Sequence, residues 1–197
     1  MKKIFFAFTG FTAIFFFSCQ KKADSPSAVN ITGTWTFVSM DATTNASAST
    51  TQSGETDKTV TQTNYTTENN TGTVTIDAST MTTSNLAYSV NTTANSYFYT
   101  NDVLTDSLGV PFNFDAPASS GNMSYHFVGS DSIYFDQGTV FMNGVTQNTA
   151  PSGCRVKLQG DMLYLTQTIH QVVQQEVSGV TITSDESGTI TINLKRQ

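Results

Sequence analysis

Two histidines (His126, His170), two cysteines (Cys19, Cys154) and fifteen acids are the side chains that metal or acid–base chemistry would draw on first in these 197 residues. A zinc site needs several N, S or carboxylate ligands converging at tight spacing. The two histidines lie far apart, and His126 sits between Tyr125 and Phe127, on the opposite face of its strand from both. No metal site is expected. Asp102, Asp106, Asp131, Asp136, Asp185 and Glu186 all fall near predicted turns, where aspartate side chains usually cap backbone amides. Two carboxyls about 5–9.5 Å apart would make a glycosidase pair, but no spacing here singles out a pair. No G-x-S-x-G, no H-E-x-x-H and no phosphate-cradling glycine loop occurs. The expectation is a protein without catalytic residues or cofactor. Charge narrows the partners further. The formal net charge is −6 with nine basic residues, too few for binding that rests on neutralising phosphates or for a polybasic membrane surface. Cys154 alternates with Arg155 in GCRVKLQG (153–160), sharing parity with Val156 and Leu158. That period of two turns its thiol inward, where cysteine behaves as a small hydrophobe.

Cys19 has a different setting. The chain opens MKK, and residues 4–17 carry no charge. As a helix that stretch rises about 20 Å, short of a bilayer core of ~30 Å, so it reads as a secretory signal. The segment FFSC (16–19) resembles a bacterial lipobox, with Phe16 where leucine is usual. The resemblance implies removal of residues 1–18 and acylation of Cys19 through its sulfur. Each buried CH₂ contributes ~0.8 kcal/mol, so two or more acyl chains make a stable anchor. The lipid bilayer is then a partner, and the outer membrane of a Gram-negative envelope the expected location, with the face left open. Residues 19–30, polar and with Ser25, Pro26 and Ser27 at their middle, form a flexible tether. The mature chain would hold seven basic and fifteen acidic residues.

The remainder, 31–197, is long enough for one domain with a sizeable core. Short alternating segments recur throughout: 31–40, 58–67, 71–77, 86–91, 96–101, 110–115, 122–129, 132–138, 139–144, 153–160 and 161–177. Two more flank Ser-Asp-Glu-Ser-Gly (184–188), and Asn143-Gly144 and Gly160-Asp161 are tight-turn signals. Residues 41–58, polar and low in complexity, read as a long loop, and 58–67 as an edge strand. No convincing helix appears. The pattern predicts an all-β, antiparallel domain of about eight or more strands, a barrel or alternatively a sandwich.

Gly33-Thr34-Trp35 opens the first strand, LQGDMLYLTQT (158–168) leads into a strand of alternating Leu and Tyr, and GTITINLKR (188–196) closes the chain. Together these resemble the lipocalin-like domains of secreted bacterial lipoproteins. The resemblance implies an up-and-down barrel in which Trp35 plugs one end and Arg196 covers it. An interior of that size is filled by side chains or holds one small ligand. Phe37, Tyr88, Phe98, Tyr125, Phe127 and Phe135 are the residues that would line it or fill it. Function then divides between a carrier of a small apolar ligand and a surface-binding or scaffold module, for glycan or protein, with a filled core. Coplanar exposed aromatics among Tyr97, Tyr99 and Tyr134 would serve a glycan.

Overall fold

The computed structural model describes residues 28–137 and 151–197. The signal segment, Cys19, the tether through residue 27 and the Asn143-Gly144 turn lie outside the described residues. Nine strands run in sequence: β1 Gly33–Gln52, β2 Glu55–Thr66, β3 Glu68–Ile76, β4 Thr80–Thr100, β5 Val103–Phe127, β6 Ser132–Phe135, β7 Ser152–Gln159, β8 Met162–Val177 and β9 Val180–Arg196. They form one antiparallel sheet in the order β2-β1-β3-β4-β5-β6-β7-β8-β9, and the β1–β9 pairing closes it into a ring. The fold is thus all-β and barrel-like rather than a sandwich.

β2 and β3 share one lane of that ring. Both pair with β1 on one side and with β4 on the other. The lane is interrupted where buried Thr67 takes the Met40 N–H on its hydroxyl (2.8 Å) and donates to Asn70 Oδ1 (2.6 Å), while Asn70 Nδ2 returns a bond to the Thr67 carbonyl (2.9 Å). Eight lanes therefore enclose the interior, the number at which side chains just fill a barrel.

The core occupies one end of the molecule. Trp35, Val74, Met81, Leu163, Leu165 and Leu194 are completely buried, with Ile31, Ile76 and Ile133 nearly so. Cys154 is buried among them, and desolvation pushes its thiol pKa up to about 12. The Trp35 indole N–H donates to the Ile31 carbonyl at 3.0 Å, which satisfies the one polar atom of a fully buried ring.

Beyond the core the sheet continues. β1, β2, β4, β5, β8 and β9 outrun the barrel as three long hairpins, whose tips are Ser53-Gly54, Asn101-Asp102 and Ser178-Gly179. Each tip has positive φ at both central residues, the two-residue geometry whose twist matches that of the flanking strands. The hairpins rise side by side, since β1 stays paired to β9 as far as Thr51↔Thr181 and β2 to β4 as far as Asp57↔Thr100. The result is a six-stranded fin, β8-β9-β1-β2-β4-β5, standing on the barrel.

Several expectations give way here. Residues 41–52 and 55–58 are not a loop but strand, because β1 is paired along both of its edges. β2 is likewise an interior strand and not an edge. The Ser-Asp-Glu-Ser-Gly stretch is no turn: β9 runs straight through it, paired on both sides. Gly188 is needed there, since a Cβ would stand 2.7 Å from the Thr43 carbonyl oxygen. β4 and β5 are each continuous where two short strands apiece were expected.

Candidate binding site

The inward aromatic residues divide into two packed groups. Phe37 meets Tyr88 edge-on at 6.2 Å, Tyr88 meets Phe114 at 5.9 Å, Phe114 meets Phe112 at 5.8 Å, and Phe112 meets Tyr65 at 6.1 Å. Tyr125 separately contacts Phe127 at 5.9 Å and Phe135 at 6.5 Å. Phe37, Tyr88, Tyr125 and Phe135 are buried, and Phe127 is half-buried against them. Phe98 stands apart, half-buried on the fin. Offset and edge-on ring contacts of this kind contribute about 0.5–1.5 kcal/mol beyond area burial, so these rings stabilise one another. Burial raises the pKa of both Tyr65 and Tyr88, Tyr88 to about 12, with the neighbouring Tyr65 adding to its shift.

At the core end, the Arg196 guanidinium carbon lies 4.6 Å from the centre of the Trp35 ring. Arg196 itself is exposed, and such a contact contributes about 0.5–1 kcal/mol at an exposed site.

The described cavities lie on the outer surface of the sheet. One of about 510 Å³ is lined by Thr43, Asn45, Thr168, Ile169, His170, Ser187, Gly188 and Thr189. A second, of about 310 Å³, shares Thr43 and Asn45 and extends over Gln62, Asn64 and Asn95. They adjoin on β1, forming one shallow trough across the outer face of the fin at its base. A third, of about 370 Å³, lies lower on the barrel wall between Arg155, Lys157, Tyr164, Thr166 and Thr191. There the Arg155 guanidinium is already drawn to Asp131 at 3.9 Å, and the Thr166 and Thr191 hydroxyls bond each other at 3.0 Å.

Register assembles the trough. His170 pairs with Ser187, Ser187 with Asn45, Asn45 with Gln62, and Gln62 with Asn95. Directly paired residues project to the same side of a sheet, so five polar side chains form one row across five strands. The row below it reads Thr168, Thr189, Thr43, Asn64. Beside the trough Asp185 keeps one oxygen buried without a hydrogen bond; His170 Nε2 is 3.5 Å away, near enough for charge attraction but not aligned to donate.

Tyr97 and Tyr99 project from the same outer face of β4, paired with Val60 and Lys58. Tyr134 does not join them; it packs on His126 at 5.5 Å on the barrel wall. Among the described residues no three His, Cys, Asp or Glu side chains cluster as metal ligands. The outer rows escaped the reading of the sequence because residues 41–52 looked like loop. Their only signal was Ala42, Ala46 and Ala48 sharing one parity among polar residues.

Comparisons with protein-family models, with curated proteins and with solved structures find no match.

Proposed function

We propose that this chain is a non-catalytic, lipid-anchored module of a bacterial envelope, held to the membrane at Cys19, which binds its partner on the outer face of the fin. The observation that carries this reading is the contrast between the sheet's two sides. Inside, the large aromatic side chains pack on one another; outside, polar side chains line adjoining cavities. In this reading the barrel is a filled, lipocalin-like support, and Gly33, Trp35 and Arg196 are its closed end. The geometry of Arg196 over Trp35 favours that likeness.

A carrier of a small apolar ligand is the second reading. Phe112 and Phe114 are half-buried, and Leu108 and Val110 continue their row upward exposed to solvent, so a ligand would sit above the barrel's open end. Native mass spectrometry of the full chain, extracted from its own host, separates the two. A filled core gives the mass of the chain plus acyl groups alone. A second molecule bound one to one would move the site to Phe112 and Phe114 and overturn the surface reading. For the anchor, Cys19→Ser is expected to shift the protein out of the membrane pellet; an unchanged pellet fraction would overturn it.

A further inference from the structure

The trough is the part of the surface whose chemistry specifies a ligand, and we infer that it binds an extended strand of neutral polysaccharide. This rests on the outer-face reading above and names its partner. Three features lead to it.

The first is hydrogen-bonding capacity left unused. The side-chain amides of Asn45, Gln62 and Asn95 and the hydroxyls of Thr168 and Thr189 make no hydrogen bond among the described residues. Each amide offers two donors and an acceptor with two lone pairs, and each hydroxyl both a donor and acceptor sites. A row of such groups, spaced ~4.8 Å from strand to strand, matches a polymer bearing hydroxyls at regular intervals.

The second is charge. The two rows of the trough hold no Asp, Glu, Lys or Arg, and the chain as a whole is net negative. An acidic polymer would meet the fin's seven acids with Lys58 as its one Lys or Arg to offset them. A neutral one loses nothing.

The third is the aromatic wall. Tyr97 and Tyr99 stand one and two rows above Asn95 on the same strand, half-buried and on the outer face. Tyrosine with serine and asparagine combines rigid contact area of low conformational entropy with adaptable hydrogen bonding, the composition also found in antibody combining sites. A chain laid across the strands along the row from His170 to Asn95 ends beside Tyr97, the next outward residue on β4. The row from His170 to Asn95 crosses five strands, about 19 Å at ~4.8 Å per step, room for several sugar units in file.

Affinity electrophoresis of the detergent-extracted full chain tests this, with dextran, xylan and laminarin as neutral probes and polygalacturonate as the acidic one. At least one neutral probe is expected to retard the protein. Gln62→Ala and the pair Tyr97→Ala with Tyr99→Ala should each weaken retardation at least fivefold while the thermal unfolding midpoint of the protein stays within a few degrees. Gln62 is exposed, so its truncation tests the site without burdening the fold. Stronger retardation by polygalacturonate, retardation by none of the probes, or retardation indifferent to these substitutions would overturn the site. None of those results alters the mass measurement, so this inference fails separately from the outer-face reading.

Discussion

Cys154 illustrates what one buried group does to the whole chain's response to pH. Below about pH 9 its thiol is protonated whether the protein is folded or not. Between about 9 and 12 the unfolded chain releases that proton and the folded chain retains it, because burial holds the pKa at about 12. The unfolded state then binds fewer protons, and stability falls as pH rises. The slope approaches 1.4 kcal/mol per pH unit for this one group. Urea melts at pH 8, 9 and 10 should show the fall, and Cys154→Ala should remove roughly half of it, the rest belonging to Tyr65, Tyr88 and Tyr125, whose pKa values burial also raises. Equal slopes in the two proteins would refute the assignment. Inwardness at this position was legible from three alternating residues, since a two-residue period and a mixed apolar–basic strand admit one facing. The same logic located Trp35 and Phe37 in the core. It failed for Phe98, which keeps the parity of Tyr88 and Val90 but lies where the strand has left the barrel. Periodicity gives the side of a sheet, not the distance to the core.

At the scale of the element, the fold class was legible and strand length was not. Turn reading depends on contrast between strand residues and the Gly, Asn, Asp and Ser that break them. In this chain Thr, Ser and Asn fill the strands too, so 41–52 looked like loop and Ser-Asp-Glu-Ser-Gly like a turn. The real turns, Ser53-Gly54 and Ser178-Gly179, were hidden in the same background. Pairing decides such segments: threonine suits a pleated surface, and a β1 bonded on both edges loses no backbone hydrogen bonds to water. Two long edges remain open among the described residues: β8 meets β7 only at Met162–Thr166, and β5 meets β6 only at Tyr125–Phe127. The β5 edge carries Pro111 and Pro117, which cannot donate to an incoming strand. The double substitution Pro111→Thr with Pro117→Thr should therefore make self-association concentration-dependent, as followed by light scattering. A variant that stays as monodisperse as the parent would show that the prolines do not guard that edge.

For the whole molecule, charge and position are linked. Residues 45–62, 95–108 and 171–186, the fin, hold seven acids and one base, Lys58; the rest of the described chain holds seven acids and four bases. The N-terminal segment joins at the opposite end, where Val29 N–H bonds the Ser130 carbonyl. With Cys19 in an anionic bilayer, repulsion would hold the fin outward, an effect felt within about a Debye length of the surface. A maleimide dye placed by Asp161→Cys should be quenched by a headgroup-borne quencher more than one placed by Ser53→Cys. The buried Cys154 stays unlabelled in both. Equal quenching would mean that the molecule lies down. β1 runs from the end where the N-terminal segment joins to a fin tip, at ~3.3 Å per residue a rise of roughly 60 Å. A load applied at the tip and resisted at the N-terminus is then parallel to β1. Its ladders with β9 and with the β2–β3 lane are pulled in shear, so their bonds share the force together instead of unzipping one by one, and the strand nearest the proposed attachment is also the one hardest to draw out.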